Sequence, residues 1–184
     1  MQSNLITKTA FRGSYVNLAE PRGIAGDPNS AERYSMLIPL PKDDEFWTEA
    51  KAFIDAKAKD KWGNIPPKLK TPIKDGDDMG ESIFAGCLYI QASNDRQPGL
   101  VDAALKPITD PNQLYSGAWY RASLTAYAWE HPTGGKGVSF SLANVQFVRD
   151  DEPLDGRTSP QDDFKDFMDE SAATPDDAGD DLLA

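Results

Sequence analysis

The negative charge of this chain is confined to its C-terminal end, which limits how much of the sequence can form a folded core. Residues 150–184 hold thirteen Asp and Glu residues against two bases, a net charge of −11, whereas residues 1–149 hold seventeen acids and seventeen bases. A segment with so many like charges cannot bury enough apolar surface to offset its chain entropy. We therefore predict one domain over 1–149 and a disordered acidic tail over 150–184.

The size and composition of the body are those of an ordinary globular domain. About 150 residues suffice for a single core. Cys87 is the only cysteine, so an intramolecular disulfide is impossible, and its apolar surroundings predict a buried thiol. We expect neither a signal peptide nor a membrane span, and therefore a cytoplasmic protein with no membrane partner. Because the acids are segregated in the tail, the overall acidity does not exclude nucleic-acid binding by the body.

Alternation of apolar and polar residues predicts that the body is mainly β. The five main strands are predicted over residues 9–17, 33–40, 83–92, 118–129 and 138–148. Apolar residues at three- and four-residue spacing over 46–61 predict one helix between the second and third strands, capped by Asp43 or Asp44. Five strands and one helix in this order favour a small closed or partly closed barrel.

The connections between these elements carry turn and loop signals. Residues 1–8 are predicted to be a frayed lead-in, 20–23 and 26–29 to be turns, and 62–80 to be a long loop. The last two strands form a hairpin with a glycine-rich tip over 131–137. In the fifth strand the inward apolar positions change phase, which predicts a β-bulge near 143–144.

The fourth strand has two unlike faces. One is small and apolar and suits a core, whereas the other carries Trp119, Arg121, Ser123, Thr125, Tyr127 and Trp129. Rings on a face opposite the core suit base stacking, at about 1–3 kcal/mol per base, and Arg121 could pair with a phosphate. Alternatively, the rings cover a second layer, either under the helix or at a dimer interface.

Several basic residues, and one tyrosine near them, are candidates for contacts with a nucleic-acid backbone. These candidates are Arg12, Tyr15, Arg33, Lys68, Lys70, Lys74, Arg96 and Lys136. Loops beside an open barrel face clamp single strands in such folds, so the lysines of the predicted 62–80 loop form the best group, a mobile basic loop. The alternative for each base is an ordinary solvated surface charge.

The sequence offers no catalytic motif that stands out. His131 is the only histidine and lies in a predicted turn, which excludes a zinc site or a Ser–His pair. Residues 75–78 lack the ligand spacing of a calcium loop, and 134–137 lack that of a phosphate-binding loop. We expect no enzyme, no metal and no cofactor. A nuclease that holds Mg²⁺ with carboxylates is left as an alternative.

The tail contains two candidate segments for binding a protein partner. Ser159 and Pro160 form a helix-start signal, and the apolar residues that follow would share one face of a short docking helix. A second apolar group follows acids at the C-terminus. The candidate partner-binding residues are Phe164, Phe167, Met168, Leu182 and Leu183. The alternative is an unstructured segment with incidental rings.

Four sequence blocks, in this order, resemble a family of phage-encoded proteins that was long a domain of unknown function. The blocks lie at 11–21, 96–102, 115–121 and 137–147. The resemblance implies an OB-fold single-stranded DNA-binding protein that acts in replication, recombination and repair, without catalytic activity and often as a homodimer. It also implies an acidic tail that recruits replication and recombination proteins of the phage or host. Many such tails end in an aromatic residue, whereas this chain ends Leu-Leu-Ala.

We therefore expect an OB-fold protein that coats single-stranded DNA with little sequence preference in the cytoplasm of a host cell. Its acidic tail would compete with DNA for the binding groove and recruit partners once displaced. Two alternatives belong to other functional classes. One is a DNA-mimic inhibitor whose acidic tail is the active part, and the other is a metal-dependent nuclease or nuclease accessory.

Overall fold

Nine strands and one long helix make up the computed structural model, which describes residues 4–156 and 163–167. The strands are β1 (Leu5–Ile6), β2 (Phe11–Arg12), β3 (Ser14–Arg22), β4 (Arg33–Pro41), β5 (Lys74–Asp75), β6 (Cys87–Asn94), β7 (Gly99–Val101), β8 (Trp119–His131) and β9 (Gly135–Arg149). The helix α1 (Phe46–Trp62) lies between β4 and β5. Short 3₁₀ turns are formed by Gly76–Met79, Ser82–Phe84, Pro111–Gln113 and Lys165–Phe167.

The main strands close into a barrel because β2 and β3 act as one bent strand. β2 pairs with β8, whereas β3 pairs with β4, and the sheet continues through β6 and β9 back to β8. At the bend, the Gly13 N–H donates to the Ala118 carbonyl and the Gly117 N–H donates to the Gly13 carbonyl. The donor–acceptor distance is 2.9 Å in both bonds. The β6–β9 pairing is parallel. The predicted five-stranded OB-type barrel, with its helix between the second and third main strands, is confirmed.

Alternation along the strands places the apolar side chains inside the barrel, and α1 packs on them. Met36, Ile38 and Leu40 of β4 are 0–1% exposed and point into the core. The helix contributes buried Ala50 and Ile54 to the same core. The N-cap position is Glu45 and not Asp43 or Asp44, but the Asp44 carboxylate, one residue earlier, accepts the Phe46 N–H of the first turn.

The structure corrects three of the predicted boundaries. Leu5 is 1% exposed and pairs with Leu124 of β8, so the start of the chain is part of the sheet. β3 runs through Pro21 to Arg22, where a turn was predicted, because a register shift accommodates the proline. β6 begins at Cys87, and the apolar residues before it form a 3₁₀ turn. The bulge near 143–144 is confirmed, since Asn144 pairs with Ser123 and Leu142 with Leu124.

The buried hydroxyl of Tyr120 satisfies both backbone groups of Tyr115. The hydroxyl accepts the Tyr115 N–H at 2.9 Å and donates to the Tyr115 carbonyl at 2.8 Å. Burial raises the pKa of Tyr120, so the phenol stays neutral. Removing the oxygen leaves two polar groups unsatisfied. We expect Tyr120→Phe to lower the free energy of unfolding by about 1 kcal/mol in urea titrations.

The matched control for this substitution is Tyr127→Phe, because Tyr127 is 40% exposed. Loss of a surface hydroxyl should change the free energy of unfolding by less than about 0.5 kcal/mol. Equal stabilities of the two variants would show that the Tyr120 hydroxyl does not support the 115–120 segment.

Within the described residues, no helix combines the length and the apolar character that crossing a bilayer requires.

Candidate nucleic-acid interface

A cleft of about 1090 Å³ runs over the outer face of β3, β4 and β6. The loop over 23–32, which joins β3 to β4, overhangs one side and is held by the Ser30 hydroxyl, which accepts the Ile24 N–H. The lining residues include three bases and one acid. Those that bear on ligand binding are Tyr15, Arg22, Arg33, Lys74, Tyr89 and Ser93. The lining of the cleft therefore carries a net positive charge, although residues 1–149 as a whole are neutral.

Two arginines face each other across the β3–β4 pair in this cleft. Arg22 is the cross-strand partner of Arg33, which places two like charges directly opposite each other. No ion pair to either arginine is found among the residues that the structure describes. The Nε atom of Arg33 is buried there without a hydrogen-bond partner. Two guanidinium groups without an acid provide the charge and the donors that a phosphate requires.

Tyr15 is an exposed ring at the margin of the cleft, held in an unfavourable backbone conformation. Its φ is 48°, in the left-handed region that non-glycine residues rarely adopt, and its side chain is 56% exposed. The hydroxyl donates to Glu81 Oε1 at 3.0 Å, and this bond raises the pKa of Tyr15. Residues held in such strained backbone conformations cluster at active sites and ligand clamps.

The floor of the cleft is polar near the arginines and apolar at its other end. Ser35 and Ser93 are paired across β4 and β6, and both line the cleft. Further along, Tyr89 packs edge-on against the buried Phe84, with ring centroids 5.2 Å apart. Hydroxyl groups can bond to any base or to phosphate, so this floor does not require a particular sequence.

The β8 residues predicted to stack on bases lie on a different part of the outer surface from the cleft. The indole N–H of Trp119 donates to Asp151 Oδ2 at 2.8 Å, and the Arg149 guanidinium lies 4.2 Å above the ring. Arg121 Nε donates to the Lys8 carbonyl at 2.9 Å. The prediction that this face points away from the core is confirmed, whereas its role in stacking stays a prediction.

The tip of the β8–β9 hairpin contains the remaining aromatic residues of this face. Trp129 donates to the Ser139 hydroxyl at 3.0 Å, and its ring lies directly over Gly137, where a Cβ atom would clash. The Lys136 ammonium lies 5.4 Å from the centre of the Trp62 ring, at the end of α1. Tyr127 is 40% exposed and is the most accessible ring on β8.

The structure does not hold the three predicted loop lysines in one mobile group. The Lys70 N–H donates to the Lys136 carbonyl, and the Lys70 carbonyl accepts the Val138 N–H, which attaches this part of the segment to β9. Lys74 belongs to β5, pairs with β6 and lines the cleft. Lys68 lies two residues before the β9 attachment. Arg96 lies in the turn after β6, where its backbone N–H donates to Asn94.

Some residues that the structure places at these surfaces had no clear signal in the sequence. Arg22 lies in a cluster of Pro and Gly that indicates a turn, and Arg149 is the last residue of β9. Phe164 and Phe167 are 66% and 80% exposed, and their role in binding a partner stays a prediction. Met168, Leu182, Leu183 and most of the predicted acidic tail lie outside the described residues. The first tail residues, 150–154, pack on the barrel.

No group of three or more His, Cys, Asp or Glu residues suited to a metal ion is found in the part of the chain that the structure describes. Asp75 and Asp77 come together, but the Lys42 ammonium bonds to both, at 2.9 and 2.6 Å. This lysine lowers the pKa of both carboxyl groups.

Comparison with known proteins decides the family. A family model described as the single-stranded DNA-binding protein of Enterobacter phage Enc34 matches residues 3–178. This chain belongs to the Enc34 single-stranded DNA-binding protein family. Protein p50 of Acyrthosiphon pisum secondary endosymbiont phage 1 is 33% identical over 156 residues, which cover 79% of this chain and 83% of p50.

Solved structures share the fold. The Enc34 single-stranded DNA-binding protein in complex with single-stranded DNA superposes with a TM-score of 0.71 at 23% identity, over 83% of this chain and 89% of that one. A C-terminal truncation of the same protein gives a TM-score of 0.69 over the same shares at 23% identity. The single-stranded DNA-binding protein gp2.5 of bacteriophage T7 gives a TM-score of 0.57 at 16% identity, over 94% and 98%. The barrel is therefore the architecture of the Enc34 family.

Proposed function

We propose that this protein coats single-stranded DNA with little sequence preference during phage DNA replication and recombination, and that it has no catalytic activity. The observation that carries the proposal is the cleft on β3, β4 and β6, where Arg22 and Arg33 face each other without an acid. The outer surface of the second and third barrel strands, between flanking loops, is where OB folds bind oligonucleotides. The family and the fold support the same proposal.

The residues of the cleft suit a strand whose sequence is not read. The two arginines would hold one or two phosphates, and Lys74 would extend the charged track along the cleft. Tyr15 would support one base from the margin. Because the floor near the arginines offers hydroxyl groups that both donate and accept, no base is selected.

The experiment that tests the proposal is a fluorescence-anisotropy titration of labelled oligo(dT) with the full-length protein. Anisotropy is preferable to intrinsic tryptophan fluorescence, because none of the described residues that line the cleft is a tryptophan. We expect binding that weakens as salt rises, with a slope of about 0.7 for each phosphate contacted. Absence of binding in dilute buffer would overturn the proposal. Strand cleavage with Mg²⁺, abolished by substitutions in this chain, would favour the nuclease alternative.

The substitution Tyr15→Asn distinguishes the contribution of this ring to DNA binding from the backbone strain at this position. Asparagine tolerates a positive φ better than tyrosine, so thermal unfolding should show equal or higher stability. Loss of the ring should weaken oligo(dT) binding by about 1 kcal/mol, the lower end of the stacking range, because Tyr15 must first leave Glu81. Unchanged affinity in the folded variant would place the bound bases away from this margin.

We also propose a regulatory role for the acidic C-terminal region, which would compete with DNA for the cleft and bind replication or recombination proteins of the phage or host. Phe164 and Phe167, exposed beside acidic residues, would form part of that partner surface. The site of action would be the host cytoplasm. A homodimer is compatible with the proposal, and sedimentation with and without DNA tests it.

A further inference from the structure

Arg12, Trp119 and Arg149 form a row across three neighbouring strands at the seam where the barrel closes. Trp119 of β8 pairs with Arg12 of β2 on one side and with Arg149 of β9 on the other. The Arg149 guanidinium lies 4.2 Å from the Trp119 ring centre, and the side chains of Arg12 and Arg149 are 26% and 58% exposed. An indole N–H between two guanidinium groups is a concentrated set of donors at the surface.

The chain's own Asp151 occupies this row. Its Oδ2 accepts the Trp119 indole N–H at 2.8 Å and lies 3.9 Å from Arg149, whereas its Oδ1 lies 3.8 Å from Arg12. The indole bond, followed by the bond from the Glu152 N–H and then by the charges of the two arginines, lowers the pKa of Asp151, so this carboxylate is charged at neutral pH. Of these three contacts only the one to the indole is of hydrogen-bond length, and Oδ1 instead accepts the Glu152 N–H at 2.7 Å.

We propose that the Arg12–Trp119–Arg149 row is a second binding site for a DNA backbone phosphate, which Asp151 occupies until single-stranded DNA displaces it. The inference rests on the proposed function and extends the DNA path beyond the cleft. A backbone phosphodiester carries its charge on two non-bridging oxygens, as a carboxylate does, but it is not held by the Glu152 N–H as Asp151 is, so it can approach both guanidinium groups while keeping the indole bond. Asp151 therefore acts as an internal stand-in for the ligand.

The position of the row supports a continuous path from the cleft. Ser116 lines the cleft, and its hydroxyl accepts the Val16 N–H at 3.0 Å. The carbonyl of the same residue accepts the Leu154 N–H at 2.9 Å, just beyond Asp151. This end of the cleft and the segment that carries Asp151 are therefore in direct contact. Displacing Asp151 would also loosen the first residues of the acidic region.

The test compares two variants that each remove one negative charge from neighbouring positions of the full-length protein. Asp151→Asn weakens the internal occupant, whereas Glu152→Gln is the matched control, since Arg12 is hydrogen-bonded to the backbone oxygen of Glu152. We expect Asp151→Asn to bind labelled oligo(dT) up to about fivefold more tightly at low salt, the upper limit for exposed ion pairs, and Glu152→Gln to match the wild type. Equal affinities of the two variants would overturn the inference.

Arg149→Gln by itself gives a second test that does not depend on the fold of the Asp151 variant, and the double variant extends it. It should weaken binding about three- to fivefold and reduce the salt slope by about 0.7, and in this background Asp151→Asn should bring no further gain. A purely structural role for Asp151 predicts lower thermal stability without any change in salt slope. If the wild-type protein does not bind oligo(dT), the proposed function fails. If the wild type binds oligo(dT) and the variants bind it with the same affinity, only this inference fails.

Discussion

Replacing both Arg22 and Arg33 with glutamine should lower the affinity for oligo(dT) about a hundredfold at low salt. A hydrogen bond to a charged group contributes about 1.5–3 kcal/mol, and these two arginines are the bases that face each other in the cleft without a carboxylate. The salt slope should fall by about 1.4 if each arginine neutralises one phosphate. Anisotropy titrations over a range of salt concentrations measure both quantities.

The same double substitution should not destabilise the free protein. Like charges opposite each other on adjacent strands are unfavourable, and the substitution removes such a pair. We expect an equal or higher melting temperature together with the loss of binding, a combination that misfolding cannot produce. The control is the double variant Lys51→Gln and Lys59→Gln, which removes two charges from exposed positions on α1. If this control loses as much affinity as the arginine variant, the effect comes from net charge and not from the cleft.

The barrel could be predicted from the sequence because alternation is a local property. β8 buries every second side chain from Tyr120 to Leu124, and the phase change that gives the bulge at Ala143 is visible along β9 itself. Closure is different, because it depends on the bend at Gly13, where one strand passes from β8 to β4. No periodic pattern marks that bend, so the sequence left closed and partly closed barrels as alternatives.

The position of the cleft could not be predicted because it depends on which loop overhangs which strands. The pattern of β8 correctly separated its inner face from its outer face. A convex and a concave part of the outer surface carry the same alternation, however, and only the tertiary structure distinguishes them. Arg22 could not be predicted as a cleft residue for a related reason. Pro21 and Gly23 indicate a turn at this position, whereas the register shift lets β3 continue through it.

For Trp119, the position outside the core could be predicted from the sequence, whereas the contacts of the ring could not. Its spacing from Arg121 placed the ring outside the core, which the structure confirms. Two of its neighbours, Arg149 and Asp151, lie about thirty residues away in the chain and reach it through the β8–β9 pairing. A contact of this kind follows from register, which is set by the whole hairpin.

Removing residues 157–184 should raise the affinity for oligo(dT) about ten- to hundredfold at low salt. This segment holds nine acids and two bases, a net charge of −7, and a tethered polyanion competes with DNA for the same basic cleft. The Debye length shrinks from about 10 Å at 0.1 M salt to about 3 Å at 1 M, so the difference should disappear at high salt. Anisotropy titrations of the two proteins measure it.

A full-length variant with these nine acids changed to amides is the matched control, because it keeps the length of the segment and removes its charge. Equal gains from truncation and from neutralisation would assign the effect to electrostatics, whereas a gain from truncation alone would assign it to steric blocking. No gain from either contradicts competition in cis. Loss of a biological activity together with unchanged DNA binding would instead favour the DNA-mimic alternative.

The position of the cut decides whether this experiment measures the effect of the distant acids alone. The charge pattern alone places the boundary after 149, but the next residues support the barrel: the Tyr115 hydroxyl donates to Asp150 at 2.7 Å, and the Leu154 N–H donates to Ser116. A cut at 149 removes those contacts together with Asp151, and so combines loss of the distant acids, exposure of the Trp119 row and lower stability. A cut after 156 removes only the distant acids and leaves the contacts of residues 150–154 in place. If the protein ending at 156 gains affinity, and Asp151→Asn within it gains more, the two anionic parts act on separate sites.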